Sequence, residues 1–189
     1  MNISKLVALT ATVIMLQGCA AAVVAGGATA ASAANDRRTL GSQLDDNSIV
    51  IRARRTLGTA ESIPDTSNIN VTSYNGVVLL TGQVSNATIK QQAEQLIKDT
   101  PGVRDIHNQI RLGNSTSLTT RTRDGWITTK VKTQLLTDDD VAGLNIKVVT
   151  ENAEVFLMGL VQGPEADKAV EIARHVEGVS RVVKAFERR

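Results

Sequence analysis

Two stretches of this chain repeat one pattern of residues, and a repeat of that length commits each copy to the same small fold. The first copy runs from Asp46 to Leu112 and the second from Asp124 to Arg189. Asp46-Asn-Ser-Ile49 aligns with Asp124-Gly-Trp-Ile127, and Ile69-Asn-Val71 with Ile146-Lys-Val148. Val78-Leu-Leu-Thr-Gly82 aligns with Val155-Phe-Leu-Met-Gly159, and Gly102-Val103 with Gly178-Val179. Between the copies, Gly113 to Arg123 is polar and rich in Ser and Thr, and reads as a linker.

Each copy reads as helix, strand, strand, helix, strand. Ile49, Ala53 and Leu57 recur every four residues, as do Ile127, Val131 and Leu135, giving each first helix one stripe to bury. Asp46 and Asp124 stand where an N-cap is expected. Ile69 and Val71, then Val78 and Leu80, alternate with the period of a strand, and Asn75-Gly76 between them is a hairpin-turn signal. Asn152-Ala153 takes that place in the second copy, where Ala is the poorer turn residue. Gln91 to Lys98 and Ala166 to His175 read as second helices, Val103 to Ile110 and Val179 to Phe186 as closing strands. The expected fold class is α+β: two tandem αββαβ modules, each two helices packed on one face of a three-stranded mixed sheet.

Ahead of the repeats, Lys5 is the only charge before an apolar run from Leu6 to Leu16. That run is too short to span a bilayer, so residues 1–18 read as a signal peptide. Leu16-Gln17-Gly18-Cys19 resembles the lipobox of bacterial lipoproteins, with Gln where a small residue is more usual. The resemblance implies cleavage before Cys19 and acylation of that residue. Cys19 is the only cysteine, so no disulfide within the chain supports the fold. Ala20 and Ala21 follow it, and by the same resemblance the absence of Asp there directs the protein to the outer membrane. Residues 19–45 read as a lipidated flexible tether, with a reach of roughly 30 Å if it behaves as a coil.

Cleavage would remove Lys5 alone from the 21 Lys and Arg, leaving 20 against 19 Asp and Glu. That balance argues against a general nucleic-acid binder. The two histidines, His107 and His175, lie in different copies, and no residues show metal-ligand spacing. Asp138-Asp139-Asp140 lacks the alternating ligands, the Gly and the distal Glu of a calcium loop, and reads as a solvated turn. The chain reads as a non-enzyme, with no catalytic residue, no metal and no cofactor.

The copies differ in one informative way. Stepping about 100° per residue from Trp126, Ile127, Val131 and Leu135 fall near about 100°, 140° and 180°, which fixes the core side. Trp126 and Leu136 then point away from the core, with Thr129 and Thr133 between them and Lys130 and Lys132 flanking. Their counterparts in the first copy are Ser48 and Gly58, with Arg52 and Arg54 at the lysine positions. The shared stripe holds the fold, so an outward Trp and Leu are free for other work. An outward indole beside lysines is the pattern of an interfacial helix. Packing of Trp126 on the other module or over a sheet edge is the alternative. Arg52, Arg54 and Arg55 form a basic face read as solvated, with phosphate contact as its alternative.

The paired αββαβ pattern, with Gly82 or Gly159 ending each hairpin and a Gly-Val before each last strand, resembles the BON domain. With the lipobox in front, the chain is similar throughout to dual-BON outer-membrane lipoproteins; Asp124-Gly-Trp-Ile-Thr-Thr-Lys-Val and Thr150-Glu-Asn carry much of the likeness. The resemblance implies a periplasm-facing outer-membrane protein that binds anionic phospholipid, such as phosphatidylglycerol or cardiolipin, through the first helix of its second module. It further implies action at the division site in support of outer-membrane integrity. Trp126, Lys132 and Leu136 stand where the family's lipid-binding helix carries matching types, with Lys132 where Arg is also found. The expected lipid-binding set is Trp126, Thr129, Lys130, Lys132, Thr133 and Leu136. A scaffold docking the outer-membrane assembly machinery or a cell-wall amidase activator through the same patch is the second reading.

Overall fold

Helix α1 (Leu40–Thr59) starts at Thr39, whose Oγ1 accepts the N–H of Ser42 at 3.0 Å. The structure, a computed structural model, describes residues 38–188. The expected signal peptide, Cys19 and the tether up to residue 37 lie outside the described residues. After α1 come β1 (Asn68–Tyr74), β2 (Val77–Val84), α2 (Ala87–Lys98), β3 (Asp105–Asn108) and β4 (Arg111–Leu112). The second copy gives α3 (Leu118–Thr137), a 3₁₀ turn at Gly143–Asn145, β5 (Ile146–Glu151), β6 (Glu154–Val161), α4 (Gly163–Arg174) and β7 (Arg181–Arg188).

The first helices begin earlier than the sequence suggested. Leu40 to Asp45, expected as tether, and Leu118 to Arg123, expected as linker, are helical. The caps are Thr39 and Ser117, the latter accepting the N–H of Thr120 at 3.1 Å. Asp46 and Asp124 are not N-caps but buried residues inside the helices. The added turns bury no apolar stripe, so periodicity does not reveal them.

The two aspartates serve the hairpins instead. Asp46 accepts the backbone N–H of Asn75 at 2.7 Å and of Gly76 at 2.8 Å, and the hydroxyl of Ser73 at 2.6 Å. Asp124 accepts those of Asn152 at 2.7 Å and Ala153 at 2.8 Å. Both turns are left-handed at their two central residues, with φ of 53° and 77° in the first and 50° and 63° in the second. Gly76 is required: a Cβ there would lie 2.7 Å from the carbonyl oxygen of Gly102.

Each sheet is mixed, as expected. β2 pairs antiparallel with β1, from Asn68 opposite Gln83 to Tyr74 opposite Val77, and parallel with β3 and β4. The closing strand of the first copy, expected over Val103 to Ile110, is split: the chain breaks pairing so that Ile110 turns into the core. In the second copy β6 pairs with β5 and, over its whole length, with β7.

The expected helical stripes are buried. Ile49, Ala53 and Leu57 of α1 pack with Ile89, Ala93 and Ile97 of α2 on Val78 and Leu80. Ile127, Val131 and Leu135 of α3 join Ala169 and Ala173 of α4 on Val155 and Leu157. Each large side chain so buried contributes about 1.5–3 kcal/mol.

The opposite faces of the sheets are not solvated. Tyr74, Val77 and Leu79 pack against Phe156, Met158 and Ala185, joining the modules sheet to sheet. The protein is therefore four layers deep: α1 and α2, first sheet, second sheet, α3 and α4. Polar contacts rim this seam. Tyr74 Oη donates to the carbonyl of Asn145 at 2.9 Å, Gln83 Nε2 to Glu151 at 2.7 Å and Asn75 Nδ2 to Glu187 at 2.8 Å. Arg104 pairs with Glu187, and Arg111 and Arg181 share Glu154.

Candidate amphipathic interface on the second module

Helix α3 turns its core stripe inward through Ile127, Val131 and Leu135, each buried. Among the described residues nothing packs over the opposite side. Trp126 is 61% exposed and Leu136 54% exposed, so the indole neither lids a sheet edge nor packs on the first module. Thr129, Lys132 and Thr133 are exposed and Lys130 is half-buried. The six residues expected to form a lipid-binding set thus share one helix, on the side away from the core.

The longer helix adds residues that sequence reasoning missed. Leu118, 81% exposed, lies two turns before Trp126, and the outward line continues through Thr122, Trp126, Thr129, Thr133 and Leu136. Steps of three and four residues along that line were legible in the sequence, and Ser117 supplied a cap signal. Arg123 joins Lys130 along one flank and Arg121 joins Lys132 along the other, by the same 100° step.

The threonines on this face leave few hydroxyl protons unpaired. Thr122, Thr129 and Thr133 each donate to the carbonyl four residues back at 3.0 Å, and Thr137 does so at 3.1 Å. A face made of methyls, an indole and two leucines can leave water without stranding a hydroxyl, and the indole N–H is its one side-chain donor still to be met.

The flanking charges are arranged around the indole. Lys130 Nζ lies 5.2 Å from the Trp126 ring centroid, within cation–π range, and 3.3 Å from the exposed carboxylate of Glu177. Lys132 has no ion-pair partner among the described residues. Its charge is felt at Lys147 of β5, whose ammonium donates to the carbonyl of Ser73 at 3.2 Å across the seam. Burial there, then the charge of Arg38, hold Lys147 below the ordinary lysine value; Asp46 opposes the shift and Lys132 adds to it.

The remaining polar candidates fall elsewhere. His107 lies in β3, and His175 caps α4 with Nδ1 2.8 Å from the carbonyl oxygen of Glu171. Asp138 and Asp140 sit after α3, 3.5 and 3.6 Å from Lys168. Among the described residues no helix is long and apolar enough to cross a membrane.

The fold defines a tandem α+β protein of two αββαβ modules joined through their sheets. The chain belongs to the BON domain family, whose model matches residues 45–114 and 123–189. It is 39% identical over 184 residues to the outer membrane lipoprotein DolP of Haemophilus influenzae, covering 97% of this chain and 95% of that one. It is 39% identical over 151 residues to the 21 kDa hemolysin of Actinobacillus pleuropneumoniae, covering 80% of this chain and 78% of the relative. The osmotically-inducible protein Y of Escherichia coli is 29% identical over 146 residues, or 76% of this chain and 72% of its own. None of these names is that of an enzyme. The likeness to the first relative supports an outer-membrane lipoprotein of the BON family.

Proposed function

We propose that this lipoprotein, acylated at Cys19, faces the periplasm from the outer membrane and rests α3 on a bilayer surface rich in anionic phospholipid. The observation that carries the reading is the outward pairing of Trp126 and Leu136, between lysines, on a helix whose other side is core. An indole favours the headgroup level, and each lysine near an anionic surface contributes about 1 kcal/mol. The aliphatic side chains add roughly 1–2 kcal/mol apiece, since a surface helix sinks only partway into the interface. Such binding is weak for a free domain, and an acyl anchor strengthens it by raising the local concentration. Phosphatidylglycerol and cardiolipin both fit the charge, and Lys132 meets their phosphates as a point charge rather than a bidentate fork. Gathering at the division site and support of outer-membrane integrity are the roles that the family resemblance adds to this reading.

Co-sedimentation with vesicles tests it. The unacylated chain, with Cys19→Ala, is expected to pellet with vesicles containing phosphatidylglycerol or cardiolipin, and Trp126→Glu to abolish pelleting while the fold remains. Equal pelleting with neutral vesicles, or none lost in the variant, would overturn it. Crosslinking from position 126 in cells is expected to give lipid adducts; a protein adduct instead would favour the docking of an envelope partner.

A further inference from the structure

We propose that α1 is a second contact for anionic bilayers, on the opposite outer layer from α3, with Leu40, Leu44 and Ile51 entering the interface and Arg52, Arg54 and Arg55 meeting lipid phosphate. This rests on α1 alone and stands or falls independently of α3.

The first copy lacks the Trp and Leu of α3, yet its helix is not bare outside. With Ser48 as zero and about 100° per residue, Leu40, Leu44 and Ile51 fall at about 280°, 320° and 300°, against a core side near about 140°. They are 65%, 68% and 61% exposed, as open as Trp126 itself. A single exposed leucine is ordinary, but three aliphatics within one narrow arc make a stripe. It begins at Leu40, in the turns of α1 that the sequence did not show to be helical.

Charge decides what such a stripe fits. Arg55 falls at the edge of the arc, with Arg52 to one side and Arg54 to the other, and all three are exposed. Arg54 and Arg55 have no ion-pair partner among the described residues. Arg52 donates one N–H to the carbonyl of Pro101 at 2.8 Å. From Ile51 to Thr59 the helix carries no acid. A parallel pairing with a second copy of the chain would set these arginines against one another. An anionic surface satisfies both the aliphatics and the guanidinium groups, which grip phosphate in pairs of hydrogen bonds.

The four-layer order sets the consequence. The helices of the two modules lie on opposite outer faces, so the outward sides of α1 and α3 point away from each other. One flat bilayer cannot take both at once. The protein therefore either lies on a membrane by one face or holds two anionic surfaces together.

The chain has one tryptophan, so a reporter can be moved. The full chain, purified in detergent and reconstituted into vesicles, would carry Ile51→Trp with Trp126→Phe, with circular dichroism confirming the fold. Expected is a blue shift and quenching by brominated acyl chains at position 51 in vesicles containing phosphatidylglycerol, absent in phosphatidylcholine alone. Adding Arg54→Gln and Arg55→Gln should weaken the docking of α1, read as the ratio of quenched to unquenched reporter, about thirtyfold, the worth of two surface charges. Phosphatidylglycerol vesicles added afterwards should cluster on those already loaded. A residue-51 reporter that stays unshifted and unquenched with phosphatidylglycerol overturns the proposal, whatever Trp126 does in the parent chain, and leaves the stripe to a protein partner. The Trp126 signal of the parent decides the α3 reading separately.

Discussion

The carboxylate of Asp124 accepts the backbone N–H of Ala153 at 2.8 Å, reaching from the middle of a helix to the tip of a hairpin. Ala153 sits at φ 63°, a conformation that costs an L-residue roughly 1–2 kcal/mol. The aspartate offsets that cost by satisfying two amides of the turn. Asp124→Ala should therefore destabilise the protein by about 1–3 kcal/mol, since two turn amides at the surface lose a charged acceptor. Ala153→Gly should stabilise it by about 1 kcal/mol. Urea unfolding of both variants measures this; an unchanged midpoint for Asp124→Ala would remove the aspartate from its assigned role.

The seam between the sheets should make the two modules unfold together. Phe156 is buried against the first module, and Phe156→Ala should cost about 3–5 kcal/mol. Tyr74→Phe removes the hydroxyl that donates to the Asn145 carbonyl and should cost about 1 kcal/mol. Calorimetry should show one transition in the parent protein, displaced downward in both variants; two separate transitions in the parent would contradict the four-layer packing.

Lys147 gives the protein an alkaline signature. Its folded value lies below the ordinary lysine value, so the unfolded chain holds this proton more firmly. Folding stability then rises as pH climbs from the lowered value toward the ordinary one of 10.5. Denaturant midpoints across that window should rise less in Lys147→Met than in the parent. Parallel curves for the two would show that Lys147 titrates alike in both states.

The threonine ladder of α3 makes a specific claim about polarity. Because the hydroxyls of Thr129 and Thr133 already donate to carbonyls of their own helix, exchanging either for Val should leave vesicle binding within about twofold. Thr133→Glu should abolish binding to anionic vesicles, by setting a carboxylate against them. Strong loss of binding in Thr133→Val would mean that the hydroxyl contacts the lipid directly.

Much of this architecture was legible because both copies obey the same periods. The stripes at Ile49 and Ile127, the Asn75-Gly76 turn and the strand alternation are all present in the fold. The helix starts were misread because Leu40, Leu44 and Leu118 face solvent and give no core periodicity, while Asp46 and Asp124 imitate caps. The sheet-to-sheet seam left one overlooked trace: Val77 to Leu80 and Val155 to Met158 are apolar at every position, as strands buried on both faces must be. At the site, the outward directions of Trp126 and Leu136 follow from helical geometry alone. Leu118 and the α1 stripe needed the true helix starts.

Trp126 is the only tryptophan in the chain, so its fluorescence reports directly on the face at issue. Titrating the unacylated Cys19→Ala chain with vesicles should shift its emission to shorter wavelength when they contain phosphatidylglycerol or cardiolipin, with less effect as salt is raised. An emission unchanged by anionic vesicles, or shifted equally by neutral ones, would contradict the claim that α3 lies on an anionic membrane.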